Sequence, residues 1–169
     1  PHDPFDVTEE MHQWYTHTAF DPPFGQKDEE VDHLAIRRNY AAMIENIDKG
    51  VSRILDHPRV KADRDNTVVV FASDHGEMLG DHGFFGKCTP HNGSIHVPLI
   101  ICGPGVKEGR RLEQPVTILD LAATFLDYAS ASPLQESTSQ SLRRCLSGNA
   151  APRLTVTSAL MVPSNKEYQ

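Results

Sequence analysis

The feature that most constrains the fold is a short run, Val68-Val69-Val70-Phe71-Ala72, wholly apolar and mostly β-branched, bounded by Asp65-Asn66 before it and Asp74-His75 after it. Four to eight apolar residues without alternation predict a strand buried on both faces, the pattern of a sheet covered by helices. Its carboxyl end delivers polar groups, Asp74 and His75, and then Gly76, Gly80, Gly83 and Gly86 lead to Lys87. In open α/β sheets the carboxyl ends of strands face the crevice where ligands sit. The stretch from Ser73 to Lys87 is therefore a candidate site rather than a turn.

The elements around this strand support an α/β reading. Tyr40, Ile44, Ile47, Val51 and Ile54 recur at steps of four and three and predict one helix from about Asp28 to Asp56, ended by Pro58, with the stripe as its apolar side. Arg37, Arg38, Glu45, Asp48, Lys49 and Arg53 then form a solvated face. A second apolar run, Val97-Pro98-Leu99-Ile100-Ile101-Cys102, closes on Gly103-Pro104-Gly105; the proline places the start of this strand at Pro98 or at a position that needs no N–H. Thr117 opens a second helix, with Asp120 as the acidic member of a capping box and Ile118, Leu121, Ala122, Phe125, Leu126 and Ala129 on its buried side. From Ser130 to Ala151 the chain is Ser-rich, with a helical patch at Ser141 to Leu146, and Arg153 to Val162 alternates well enough to begin a further strand. Residues 1–150 are expected to form one α/β unit, with 151–169 as a terminal strand or small subdomain.

Totals exclude several classes. The net charge of -7 argues against a nucleic-acid partner, which calls for an excess of Lys and Arg. No apolar run approaches the roughly 20 residues of a membrane-spanning helix. Cys88, Cys102 and Cys145 are odd in number and lack CxxC spacing, so they read as buried or incidental thiols and indicate neither a disulfide framework nor a zinc ribbon. The chain starts at Pro1, not Met, so we expect its true N-terminus upstream, and the compartment is not legible. The Pro- and aromatic-rich segment from Pro1 to Gly25 has no period and is expected to be an ordered loop laid over the rest.

The central loop admits two kinds of reading. The Asp74 carboxylate and the His75 imidazole suit a divalent cation, but two ligands are too few for calcium or for catalytic zinc; alternatively Asp74 caps the turn and His75 is packed. Lys87, after three glycines, is placed to meet a phosphate or sulfate oxygen, or is a surface lysine. Asp81 and His82 are open to ligand or proton-carrying roles, or to plain exposure. His2, near a chain end, is a ligand or catalytic candidate or simply exposed.

Taken together, Ser73-Asp74-His75-Gly76-Glu77-Met78-Leu79-Gly80-Asp81-His82-Gly83, then Gly86-Lys87, Val97-Pro98-Leu99-Ile100 and Gly103-Pro104-Gly105 resemble the second half of a sulfatase of the alkaline phosphatase superfamily. Pro1-His2-Asp3-Pro4-Phe5 resembles that family's substrate-contacting histidine segment, Tyr40 to Leu55 the helix before the metal strand, and Pro115 to Leu121 the helix after it. The resemblance implies a mixed, mainly parallel sheet covered by helices, incomplete in this chain. It implies that Asp74 and His75 are ligands of a divalent cation, calcium before manganese or magnesium. It further implies that Lys87 contacts the sulfate group and the nucleophile, and that His2 contacts the substrate and protonates the leaving alcohol. The substrate class is a sulfate-ester small molecule, an aryl sulfate included, or a sulfated sugar.

Two departures from the family pattern qualify this. The Asp-Asp pair that completes the family's metal site is absent, as is the Cys-x-Pro-Ser-Arg motif whose cysteine or serine becomes formylglycine. Cys88-Thr89-Pro90 imitates that motif without its Ser-Arg continuation and stands directly after Lys87, where the family has no nucleophile. His91, Asn92 and His96 occupy slots where the family tends to carry Tyr-Glu and Arg. The expectation is a part of a longer sulfuric-ester hydrolase, inactive alone, with formylglycine in the missing N-terminal part and with open sheet edges that invite a partner or a second copy. The alternatives are a phosphonate monoester or phosphodiester hydrolase of the same superfamily, and a non-catalytic relative that binds an anion or a partner.

Overall fold

The structure, a computed structural model, describes residues 1–25, 28–149 and 155–157. The described residues fall into two compact units, one built from Pro1–Ala62 and His75–Val97, the other from Asp63–Asp74 and the described residues between 98 and 157. The expected boundary near residue 150 and most of the expected strand from Arg153 to Val162 lie outside the described residues.

The first unit is organised on α2, His33–Leu55. Its start is later than Asp28 because the Asp32 carboxylate accepts the Ala35 N–H at 2.9 Å and caps the first turn, while Asp28 to Val31 close a turn of their own. Asp56 caps the end, and Pro58, which cannot continue a helix but suits the first position of one, opens the short α3, Pro58–Ala62. The N-terminal segment lies along α2, carrying the six-residue α1, Glu9–Trp14. Arg38 Nε donates to the Thr18 carbonyl at 3.0 Å, Asn39 Nδ2 to the Phe5 carbonyl at 3.0 Å, and the Lys49 ammonium sits 3.3 Å from the Trp14 ring centroid. These bonds correct the reading of a purely solvated charged face. The apolar stripe is corrected as well: Ile44 is 47% and Ile54 64% exposed, whereas His33 and Ala42 are the buried residues of α2.

The loop that follows His75 folds back against this helix. Its core residue is Met78, fully buried, and its backbone is closed by Met78 N–H to the Gly86 carbonyl at 2.9 Å and Gly80 N–H to the Phe84 carbonyl at 2.8 Å. Gly76 lies where no side chain fits: a Cβ there would stand 2.0 Å from the Gly93 carbonyl oxygen, just before the one-turn α4, Asn92–Ile95, ends. Gly80 has φ +87° and the His33 ring against it, so both its backbone and its surroundings demand glycine.

In the second unit β1, Val69–Ala72, pairs antiparallel with β2, Leu99–Cys102, in the register Val69↔Cys102, Val70↔Ile101, Phe71↔Ile100 and Ala72↔Leu99. The sheet among the described residues is this one antiparallel pair; the parallel neighbours of a mainly parallel sheet are not among them. The strand expected to be buried on both faces is open on one, because Phe71 and Ile100 stand opposite each other and Ile100 is 61% exposed. Helix α5, Asp120–Tyr128, begins later than the predicted opening at Thr117, and of the expected capping box it keeps the carboxylate half, the Asp120 carboxylate accepting the Thr117 N–H at 2.9 Å. Its buried side is not the predicted one: Asp120 and Thr124 are inaccessible, whereas Phe125 is half exposed. The other Asp120 oxygen accepts the Gln140 N–H, and Thr124 Oγ1 donates to the Asp120 carbonyl at 2.6 Å and accepts the Leu142 N–H at 2.9 Å. This buried polar staple fixes the Ser-rich stretch and the short α6, Arg143–Leu146, against α5, with Leu142 and Cys145 beneath.

Candidate functional site

Lys87 follows Gly86, and Gly86 is held twice: its carbonyl accepts from Met78, and its N–H donates to the Glu77 carboxylate at 2.6 Å. The same Glu77 oxygen accepts the Leu79 N–H at 3.1 Å. Glu77 thus closes the loop that presents the lysine, a role the sequence reading did not assign. Burial, and then the Glu77 charge, push the Tyr40 phenol above its ordinary range, which keeps a neutral ring beside the clamp.

A second clasp lies further round the loop. Arg37, only 18% exposed, donates to an Asp81 oxygen at 2.7 Å and to the Leu79 carbonyl at 3.2 Å, and the same Asp81 oxygen accepts the Phe24 N–H. Asp81, open to a ligand role on sequence grounds, is committed here to holding the N-terminal segment on the loop. His82 stacks on His91 with ring centroids 4.4 Å apart and meets Phe24 edge to face at 5.1 Å. Asp81 and His82 accordingly act as fasteners of this loop.

The outcome of these clasps is a contact between residues 85 apart in sequence. Lys87 Nζ lies 2.7 Å from His2 Nε2, and the His2 ring approaches the His75 ring edge to face at 6.2 Å between centroids. Three of the four predicted site residues, His2, His75 and Lys87, are thereby gathered in one unit. The fourth, Asp74, is the exposed residue immediately before His75. His75 Nδ1 lies 2.9 Å from the Gly76 carbonyl oxygen; a carbonyl only accepts, so Nδ1 carries a proton, and a neutral ring then has its lone pair at Nε2. That is the state in which an imidazole ligates a metal. Among the described residues no three His, Cys, Asp or Glu side chains converge as a metal cage. An ammonium with imidazoles around it is an arrangement able to meet one oxygen of an anionic group. Cys88, next to Lys87, is exposed, as is Cys102, while Cys145 is buried, and that burial pushes its thiol up.

Comparison with known proteins bears on this arrangement. The sequence model of the sulfatase family matches residues 1–131. Arylsulfatase K of Danio rerio is 40% identical over 94 residues, covering 56% of this chain and 18% of that protein. The phosphonate monoester hydrolase SpPMH of Silicibacter pomeroyi superposes with a TM-score of 0.66 at 35% identity, over 70% of this chain and 23% of its own. BT4656, solved in complex with its substrate D-glucosamine-2-N,6-O-disulfate, gives a TM-score of 0.64 at 30% identity, over 69% and 24% respectively. The chain therefore spans about a fifth of the length of the curated relative and about a quarter of the two solved ones.

Proposed function

The chain belongs to the sulfatase family, and from that premise we propose that it supplies the sulfate-facing lysine, the histidine beside it and part of the metal site of a sulfuric-ester hydrolase. Its fold is an incomplete portion of the alkaline-phosphatase-like α/β fold. The observation that carries the reading is the 2.7 Å contact between Lys87 and His2, which the loop and the N-terminal segment create together.

Family membership implies a divalent cation and a formylglycine nucleophile. Asp74 and His75 fit the first in donor type, and His75 also in tautomer; with calcium as the preferred ion, it would offset negative charge on the transferring sulfuryl group. None of Cys88, Cys102 and Cys145 stands in the formylglycine motif, so the nucleophile belongs to a part of the parent protein outside these residues, and the chain alone is inactive. Lys87 holds a sulfate oxygen and offsets charge as the ester bond breaks. Lys87 holds a proton toward His2, and this pair is the source of the proton that the departing alcohol needs. A sulfated sugar or an aryl sulfate is the substrate class. The described residues contain no helix long and apolar enough to cross a membrane.

A phosphonate monoester is the second reading, favoured by the likeness to SpPMH, since tetrahedral oxyanions of similar size make the same demands on a lysine and a cation. The test is the full-length enzyme assayed with an aryl sulfate and an aryl phosphonate. Turnover should favour the sulfate, and Lys87→Ala and Asp74→Ala should each lower it by about 10²–10³ or more. Near-normal rates in either variant would remove that residue from the site, and preference for the phosphonate would move the enzyme to the second reading.

A further inference from the structure

We propose that Asp3 is a positioning residue that fixes the tautomer and orientation of His2, so that Lys87 donates to His2 and the three side chains form a polarised series. A lysine ammonium carries three donors and no acceptor. The 2.7 Å contact between Lys87 Nζ and His2 Nε2 therefore needs the ring's lone pair at Nε2, and a neutral imidazole with its lone pair there carries its proton at Nδ1. Nδ1 faces two oxygens of one residue, the Asp3 carbonyl at 2.8 Å and the Asp3 carboxylate at 2.9 Å. Carbonyl and ionised carboxylate accept and do not donate. Both ends of the ring thus demand the same tautomer.

The side chains of His2 and Asp3 are 57% and 65% exposed, so water competes for each bond. Agreement between the two ends, more than the strength of either bond, selects the form. The consequence is a direction: in the resting site His2 Nε2 is an acceptor, and the proton on that side is held by Lys87. Sequence pattern marks His2 and Lys87, but it says nothing of Asp3, whose part follows only from the two distances at Nδ1.

The catalytic meaning of this series rests on the sulfatase reading above; the tautomer does not, and the two are separated by experiment. Nitrogen-15 NMR of the histidine rings of the chain at neutral pH reads the tautomer directly. His2 should show a pyrrole-like Nδ1 and a pyridine-like Nε2. Asp3→Ala keeps the main-chain carbonyl but removes the carboxylate acceptor, and should move the two signals part of the way toward each other, whereas Asp3→Asn, which keeps a side-chain oxygen acceptor, should restore most of the wild-type separation. A wild-type Nε2–H tautomer, or signals unchanged in Asp3→Ala, would overturn the proposal. In the full-length enzyme Asp3→Ala should lower kcat by about tenfold with little change in KM, with recovery in Asp3→Asn, and an unchanged kcat would overturn the positioning role. Full activity in Lys87→Ala alongside the expected tautomer would instead sink the functional reading and leave the Asp3–His2 geometry standing.

Discussion

Gly76→Ala tests the packing that closes the loop behind His75. The Cβ of an alanine would lie 2.0 Å from the Gly93 carbonyl oxygen, 3.0 Å from the Gly93 carbonyl carbon and 3.1 Å from the Ser94 oxygen. All three are backbone atoms, so no side chain can rotate away. Relief requires the strand of chain at Gly93 and Ser94 to withdraw, and that breaks the 2.7 Å bond from the Gly76 N–H to the Ser94 carbonyl. Overpacking against backbone costs roughly 1–3 kcal/mol and loss of the bond roughly 0.5–1.5 kcal/mol. The total, about 1.5–4.5 kcal/mol, corresponds to a fall in Tm of roughly 3–18 °C for a protein of this size. Gly50→Ala is the control: it lies in α2 with nothing within 4 Å of its added methyl, and should raise stability by about 0.5–1 kcal/mol through helix propensity. Thermal unfolding followed by circular dichroism distinguishes the two. If Gly76→Ala melts with Gly50→Ala or above it, the close approach of the two backbones is wrong.

Other consequences can be measured on the same protein. Arg37→Met removes the partner of Asp81 and a donor to Leu79, and should lower stability by about 1–3 kcal/mol, read as a lower urea midpoint; an unchanged midpoint would show that the clasp is idle. Thr124→Val keeps the shape but leaves the Leu142 N–H without its acceptor in a fully buried place, at a cost of about 1–3 kcal/mol; Thr124→Ser should retain most of the stability. The Asp127 carboxyl is held below its ordinary range, first by the Ser141 hydroxyl 2.5 Å away and then by the Arg143 guanidinium. A carboxyl depressed in the folded state adds stability that is complete above its unfolded value, near 4, and is lost as the pH falls through the lower folded one. Urea midpoints measured from pH 5 down to pH 2 should fall less steeply in Ser141→Ala, and identical slopes would remove this group from the acid response.

The elements were legible where local chemistry alone creates them. The apolar run at Val68–Ala72 yielded a strand, Thr117 and Asp120 formed the carboxylate half of a capping box, and the glycine-studded loop ending at Lys87 was recognisable as a tight turn that presents polar groups. Errors arose where burial depends on what lies across from an element. The stripe on α2 and the Phe125 side of α5 have the right period for a core, yet they face outward among the described residues, and the buried positions fell instead to His33, Asp120 and Thr124. Periodicity reports which side chains share a face and is silent about what covers it. Arg37 and Arg38 show the same limit from the polar side, since a charged face reads as solvated until a distant carbonyl or carboxylate is found against it.

By itself the sequence determined the two strands and the helices α2 and α5, the glycines that permit the turn, and which residue types were candidates to serve an anion and a cation. Only the tertiary structure decided that His2 meets Lys87 across 85 residues, that Glu77 and Asp81 hold the loop, and that Asp3 stands behind His2. The physical reason is the range of the forces. Backbone preferences and capping act within a few residues and leave their signature in the sequence, whereas hydrogen bonds and ion pairs between distant side chains depend on where the folded backbone carries them.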